Sequence, residues 1–294
     1  MLYLVLGVVL TSVLILMFKV FDRFGVNNVQ AIVVNYLTAG IISMLHGSEV
    51  LFGATPVYSY DWFPITVILG VLFFITFNFI GITAREVAVS VSVVANKMSV
   101  VIPLCFAFFF LKEEITGLKI AGIVLSLVSV YLTTIRSEED KKESPRKGSK
   151  MGMLLFPIIV FVGSGIIDTM IKYLEEYHLD DHVINDFLII SFMAAFVSGL
   201  IYSTVQLVRG KWKFDPKSII GGIVLGIPNY YSLHYLMKAL NQNNMESSQI
   251  FPINNIGIVL LTTLGAYLLF REKLSKINLL GVGLAIVAIL LIAA

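Results

Sequence analysis

Lys97 stands in an otherwise apolar run, VSVVANKMSVVIPLCFAFFFLKEE (91–114), with Asn96 before it and Ser99 and Pro103 after it. An ammonium group at the centre of a bilayer costs roughly 2.5–3.5 kcal/mol on insertion scales, so such groups face a bundle interior or a wet cavity. The chemistry on offer is attraction of a carboxylate or phosphate, with the Asn96 amide beside it as donor and acceptor. Pro103 has no N–H and leaves the Ser99 carbonyl without its helical donor. The expectation is a locally perturbed helix with an open acceptor near the lysine, the kind of irregularity that lines cavities inside membranes.

Three further stretches carry polar groups in apolar surroundings. MESSQIFPINNIGIVLLTT (245–263) holds Glu246, Gln249, Asn254 and Asn255 around Pro252, and Gln249 and Asn255 are candidates to hydrogen-bond the same solute as Lys97. GIPNYYSLHYLMKAL (226–240) offers Tyr231, His234 and Tyr235 as a cavity wall near Pro228, although aromatics of this kind also form belts at membrane interfaces. GSGIIDTMIK (163–172) contains Asp168. Asp168 and Glu246 are the carboxylates able to take a proton on one side of a membrane and release it on the other. Asp168 also lies four residues before Lys172, a spacing at which the two charges can neutralise each other.

The remaining chemistry is sparse. The four histidines, His46, His178, His182 and His234, have no zinc-protease spacing, and no glycine-rich loop carries a phosphate-binding lysine. His178 and His182 flank Asp180 and Asp181, a group that reads as a solvated acidic loop before it reads as a metal site. No metal, cofactor or enzymatic role is expected. Cys105 is the single cysteine and serves as a space-filler in an apolar run.

These groups must be positioned by membrane spans. Of the 294 residues, 57% are hydrophobic and 14% charged, against about 25% charged in soluble domains; the mean hydropathy is +0.90. Ten apolar segments run over 2–19, 29–46, 62–81, 87–111, 117–135, 151–172, 184–207, 218–238, 244–270 and 277–293, each near the ~20 residues that cross a bilayer. The first has no basic leader and no cleavage signature, so it reads as a retained span. Small residues such as Gly222 with Gly226, and Gly163 with Gly165, fit close helix packing. The net charge of +2 gives no reason to expect nucleic acid as a partner.

The charged stretch RSEEDKKESPRKGSK (136–150) falls near the midpoint and separates two related halves, 1–135 and 151–294. FFFLKEEITGLKIAGIVLSLVSVYL (108–132) resembles YLLFREKLSKINLLGVGLAIVAILL (267–291) at an offset of 159, which sets Glu113 on Glu272, Gly122 on Gly281 and Asn96 on Asn255. LMFKVFDRF (16–24) likewise resembles TMIKYLEEY (169–177). Five spans per half is odd, so the halves enter the membrane in opposite directions, giving an all-α polytopic protein of two inverted five-helix repeats. Such repeats are characteristic of secondary transporters. Sixteen Lys and Arg follow odd-numbered spans and four follow even-numbered ones; with Lys97 these are all 21. That asymmetry places the linker in the cytoplasm and both termini outside.

The acidic turns LKEEIT (111–116) and FREKLSKI (270–277), each followed by an aliphatic segment with a glycine, resemble the EamA-type ten-span exporters of the drug/metabolite transporter superfamily. The likeness covers nearly the whole chain. The family's turn is glycine–glutamate–basic; the matching residues here are Glu113 with Gly122 and Glu272 with Gly281, and Lys112 and Arg271 replace the turn glycine. The resemblance implies a gradient-driven carrier for small metabolites, often amino acids or amphiphilic toxic compounds. It also implies cytoplasmic termini, against the loop charges.

The resulting expectation is a secondary active transporter in a bacterial inner membrane, exporting a small amino acid-like or other anion-bearing solute by alternating access. Its partners are that solute, the bilayer and a coupling proton or ion. The alternative is a non-transporting structural or regulatory membrane subunit, with Lys97 in a buried ion pair; a channel is disfavoured for want of a polar pore-lining stripe.

Overall fold

The computed structural model describes residues 2–48, 56–111, 116–134, 150–178, 183–211, 215–241, 247–272 and 274–293. A bilayer offers no water to backbone N–H and C=O groups, so spanning segments satisfy them internally as helices. The ten apolar segments accordingly become α1 (Leu2–Phe24), α2 (Asn28–Leu45), α3 (Trp62–Glu86), α4 with α5 (Val89–Met98 and Val101–Leu111), α6 (Gly117–Thr134), α7 (Lys150–Tyr177), α8 (Ile184–Val208), α9 (Pro216–Asn241), α10 (Ser247–Phe270) and α11 (Lys276–Ala293). Among the described residues, seven segments are long and apolar enough to cross a membrane, and α6 and α11 contain shorter apolar stretches. α9 is long but dilutes its apolar residues with Asn229, Tyr230, Tyr231 and His234.

Side-chain placement is inverted relative to a water-soluble core. Val5, Val9 and Val13 of α1 and Ile158, Val162 and Ile166 of α7 are exposed, whereas Ser12, Asn35, Thr66, Ser92 and Ser99 are buried. Apolar side chains cost nothing against lipid, while polar ones must find partners inside the bundle. Asn35 is fully enclosed on α2 with both amide atoms unpartnered. Tyr36 beside it donates to the Phe73 carbonyl at 2.9 Å, and Asn78 donates to Phe74 of its own helix at 2.6 Å.

Packing alternates between the halves. α1 lies on α9 and α10, α3 on α7 and α8, α2 on α8 and α9, α4 on α7 and α10, and α6 on α11. Glycines permit several of these approaches, as their spacing anticipated. A Cβ on Gly222 would lie 2.6 Å from the Ala31 carbonyl oxygen, and one on Gly226 would lie 2.7 Å from that of Asn35, so α9 meets α2 backbone to backbone.

The linker end of the bundle is tied across helices. Arg23 donates to the Leu269 carbonyl at 3.4 Å and lies 5.1 Å over the Phe270 ring, and Arg85 pairs with Asp22 at 2.9 Å. That ion pair is solvent-exposed and contributes at most about 1 kcal/mol. Asp215 and Ser218 at the start of α9 meet Asn27 and Gln30 at the start of α2. The Ser218 hydroxyl donates to Asp215 and holds its carboxyl below the usual carboxylate range.

Glu272 makes the most directed contact at this end. Its carboxylate accepts from the Val89 N–H at 3.2 Å and the Ser90 hydroxyl at 3.0 Å, capping α4 from beyond the end of α10. Arg271, standing where the resembling family has a glycine, takes φ +52° to aim it, a backbone region glycine enters far more readily. Glu272→Ala is expected to lower stability by about 1 kcal/mol, as for loss of a helix N-cap. The thermal midpoint of the purified protein checks this; an unchanged midpoint would show the cap idle.

One expectation is corrected here. Span four is two helices with a break at Ser99–Val100, and the Ser99 carbonyl is not open, because Ile102 N–H donates to it at 2.9 Å. A tightened turn takes up the acceptor that Pro103 left behind. Pro228 lies inside the continuous α9.

Candidate functional site

The break in span four sits against α7. Gly163 and Gly165 bring α7 close: a Cβ on Gly163 would meet Thr76 Oγ1 at 2.5 Å, and one on Gly165 would meet Ile102 Cδ1 at 2.3 Å. Between them Ser164 accepts a hydrogen bond from the Asn96 amide nitrogen at 2.7 Å. One turn further, Asp168 Oδ2 lies 3.1 Å from the Ser99 hydroxyl, which itself lies 2.5 Å from the Asn96 carbonyl oxygen. The break is thus pinned to the neighbouring helix by two polar contacts, with the Ser99–Asn96 contact internal to span four.

Lys97 and Asp168 are close enough for their charges to attract. They do so without an ion pair to each other among the described residues. Asn96 and Lys97 are half-buried and Asp168 is exposed. Of the exposed apolar residues of α7, Ile158, Val162, Ile166 and Tyr173 lie on average about 125° around the helix from Asp168 and Leu154 about 40°, at 100° per residue. An ammonium, a carboxylate and an amide gathered at one helix break can hold a small solute that carries charge or several hydrogen-bonding groups.

The aromatic candidates lie elsewhere. Tyr231, His234 and Tyr235 gather at the far end of α9 with Tyr3 of α1, His46 at the end of α2, and Tyr230. Tyr3 stacks on Tyr235 at 5.8 Å, Tyr231 on Tyr235 at 5.8 Å, and Tyr230 on His234 at 5.3 Å; His46 lies 5.4 Å from His234. The Tyr230 hydroxyl meets His234 Nδ1 at 3.3 Å, and Lys238 lies 5.6 Å over the Tyr3 ring. Their ring and hydrogen-bond contacts run to one another, so the expected shared wall around Lys97 separates into two clusters. Rings from three helices converge here, which a lipid-facing belt would not produce.

Asn255 is half-buried on α10, which packs on α4. The Gln249 backbone belongs to α10, while its side chain, like Glu246, Glu113, Asp180, Asp181 and His182, lies outside the described residues. Reading the residues alone left Asp168 unplaced relative to Lys97 and missed Ser164, Tyr3 and His46. Ser164 had a signal in its flanking glycines. Tyr3 and His46 had none, being single residues at span ends far apart in the chain.

Residues 150–294 match the family model of the EamA-like transporter family. An uncharacterized protein of Haemophilus influenzae is 29% identical over 226 residues, covering 77% of this chain and 74% of that protein. A probable glucose uptake protein of Staphylococcus epidermidis is 22% identical over 67% of this chain and 64% of its own length. A glucose uptake protein of Staphylococcus xylosus is 25% identical over 63% and 60%. A crystal structure at 14% identity shares the fold with a TM-score of 0.62 over 99% of this chain and 94% of that one. The chain is an integral, multi-pass membrane protein, and its residues 150–294 are similar to the EamA-like transporter family.

Proposed function

We propose that the chain is a secondary active carrier that binds a small organic solute between α4 and α7 and exposes it to alternate sides of a bacterial inner membrane. The observation that carries this reading is the polar cluster at the broken span, where Asn96 donates to Ser164 and Ser99 to Asp168 of α7, with Lys97 beside Asn96. Lys97 takes the anionic group of an amino acid-like solute, Asn96 and Asn255 hydrogen-bond it, and Asp168 serves as the proton-coupling carboxylate.

The carrier is built of two inverted repeats, 1–135 and 151–294, joined by the linker 136–150. Exchanging the halves maps α1·α9 onto α7·α3 and α2·α9 onto α8·α3, and all four packings occur. At finer grain, Gly122 of α6 packs on Ala288 and Ile292 of α11, and Gly281 of α11 packs on Ser129 and Thr133 of α6. Each of those pairs is related by the offset of 159 read from the sequence. The Lys and Arg excess favours a cytoplasmic linker.

A second reading for the solute rests on the two staphylococcal relatives, whose names concern glucose. A neutral sugar would use ring faces and hydroxyl-bonding groups, which Tyr231, His234 and Tyr235 with His46 supply. Export is the direction proposed from the family; those two names point to uptake. Purified protein in sealed vesicles, offered labelled amino acids or labelled D-glucose, is expected to give saturable flux of one class. A subunit without transport activity would give no flux alone and would co-purify with a stoichiometric partner.

A further inference from the structure

We infer that Ser99 is a positioning residue that joins protonation of Asp168 to the bend in span four as one event; this deepens the carrier reading and rests on it. Ser99 is fully buried at the break between α4 and α5. Its oxygen lies within hydrogen-bond distance of two acceptors, the Asn96 carbonyl at 2.5 Å and Asp168 Oδ2 at 3.1 Å. A hydroxyl carries a single proton, so it donates to one of them at a time.

The two arrangements differ by one proton on the carboxyl. With Asp168 ionised, the Ser99 O–H donates to the carboxylate and the Asn96 carbonyl loses that donor. With Asp168 protonated, the carboxylic O–H donates to Ser99 Oγ, and Ser99 turns its own hydrogen to the Asn96 carbonyl. The carboxyl takes up the proton and releases it again, and no other bond changes. Back-bonding from a serine hydroxyl to a carbonyl three residues earlier bends a helix. The acid form thus favours the bent span, while the ionised form transfers the hydroxyl to α7.

Few titratable groups compete. On the helices packed against α7 they are Lys97 of α4, Cys105 of α5, Lys119 and Tyr131 of α6, and Arg85 with Glu86 at the linker end of α3; Lys172 follows one turn later on α7 itself. Lys97 is the one whose charge acts on Asp168.

Infrared difference spectra of the lipid-reconstituted protein test this, with the carboxylic C=O band assigned to Asp168 by its loss in Asp168→Asn. Ser99→Ala is expected to move that band to higher frequency, because the acid loses its hydrogen-bond acceptor. The same variant is expected to reduce the pH dependence of solute counterflow from about fivefold or more to near none, the scale of a coupling free energy between sites. Ser99→Thr keeps the hydroxyl and is expected to retain both properties. The inference is overturned if Ser99→Ala shows the wild-type band and pH profile, or if Asp168 gives no acid band at any pH at which the protein is folded. The band measurement needs no transport, so a wild type without flux defeats the carrier reading separately.

Discussion

Lys97→Met is expected to lower saturable flux by roughly 10- to 100-fold, the loss that follows from removing a hydrogen bond to a charged group worth about 1.5–3 kcal/mol. Methionine preserves the length and apolar stem of lysine, so the packing of α4 on α7 is retained. The substitution leaves the Asp168 carboxyl within the span without the nearby charge of Lys97, which is destabilising. The double variant Lys97→Met/Asp168→Asn is therefore expected to recover the thermal midpoint lost in the single variant, but not the flux. Flux at the wild-type level in Lys97→Met would remove Lys97 from the solute site. Recovery of flux in the double variant would show that the pair is structural.

Gly122→Leu and Gly281→Leu are expected to destabilise the protein by similar amounts, of the order of 3 kcal/mol or more each, because overpacking costs 1–3 kcal/mol even where a contact can adjust. Here the first side-chain atom alone would lie 3.0 Å from the Ala288 carbonyl oxygen in one case and 2.9 Å from the Thr133 backbone nitrogen in the other. Backbone cannot move aside as a flexible side chain can. Under the proposed repeat the two sites are equivalent, so equal losses of thermal midpoint are the signature of a symmetric α6–α11 contact. A large loss at one and none at the other would contradict the duplicated arrangement.

Much of the fold was legible in the residues because the bilayer imposes a simple rule. Apolar runs near the crossing length became helices with ends within a few residues of expectation, except where α1, α3 and α7 extend by several residues into charged ends such as KVFDRF (19–24). Gly122 and Gly281, 159 residues apart, each pack on the other's helix, as the proposed duplication would have them do. The break in span four was half legible. Pro103 marked the region, but the Ile102 N–H captured the carbonyl that the proline had released, and the chain turned at Ser99–Val100 instead.

The candidate site was less legible, for a geometric reason. Lys97 and Asn96 announced themselves by polarity in an apolar run. Which carboxylate faces Lys97 depends on the rotation of α7 about its axis, and the Asp168–Lys172 spacing offered an equally good local partner. The glycines at 163 and 165 set that rotation by pressing one face of α7 on α3 and α5. The aromatic residues of α9 were recognised as a group, but their partners, Tyr3 and His46, are joined to them only by packing of α1 and α2 at the far end of the bundle.

Solute counterflow in sealed vesicles tests the carrier most directly, because a carrier exchanges internal unlabelled solute for external labelled solute without a gradient, and neither a channel nor an inert subunit does so. The account predicts transient accumulation of label in vesicles loaded with the same solute, abolished by Lys97→Met and insensitive to which side the termini occupy. Label that equilibrates without overshoot, or an overshoot undiminished in Lys97→Met, would contradict it.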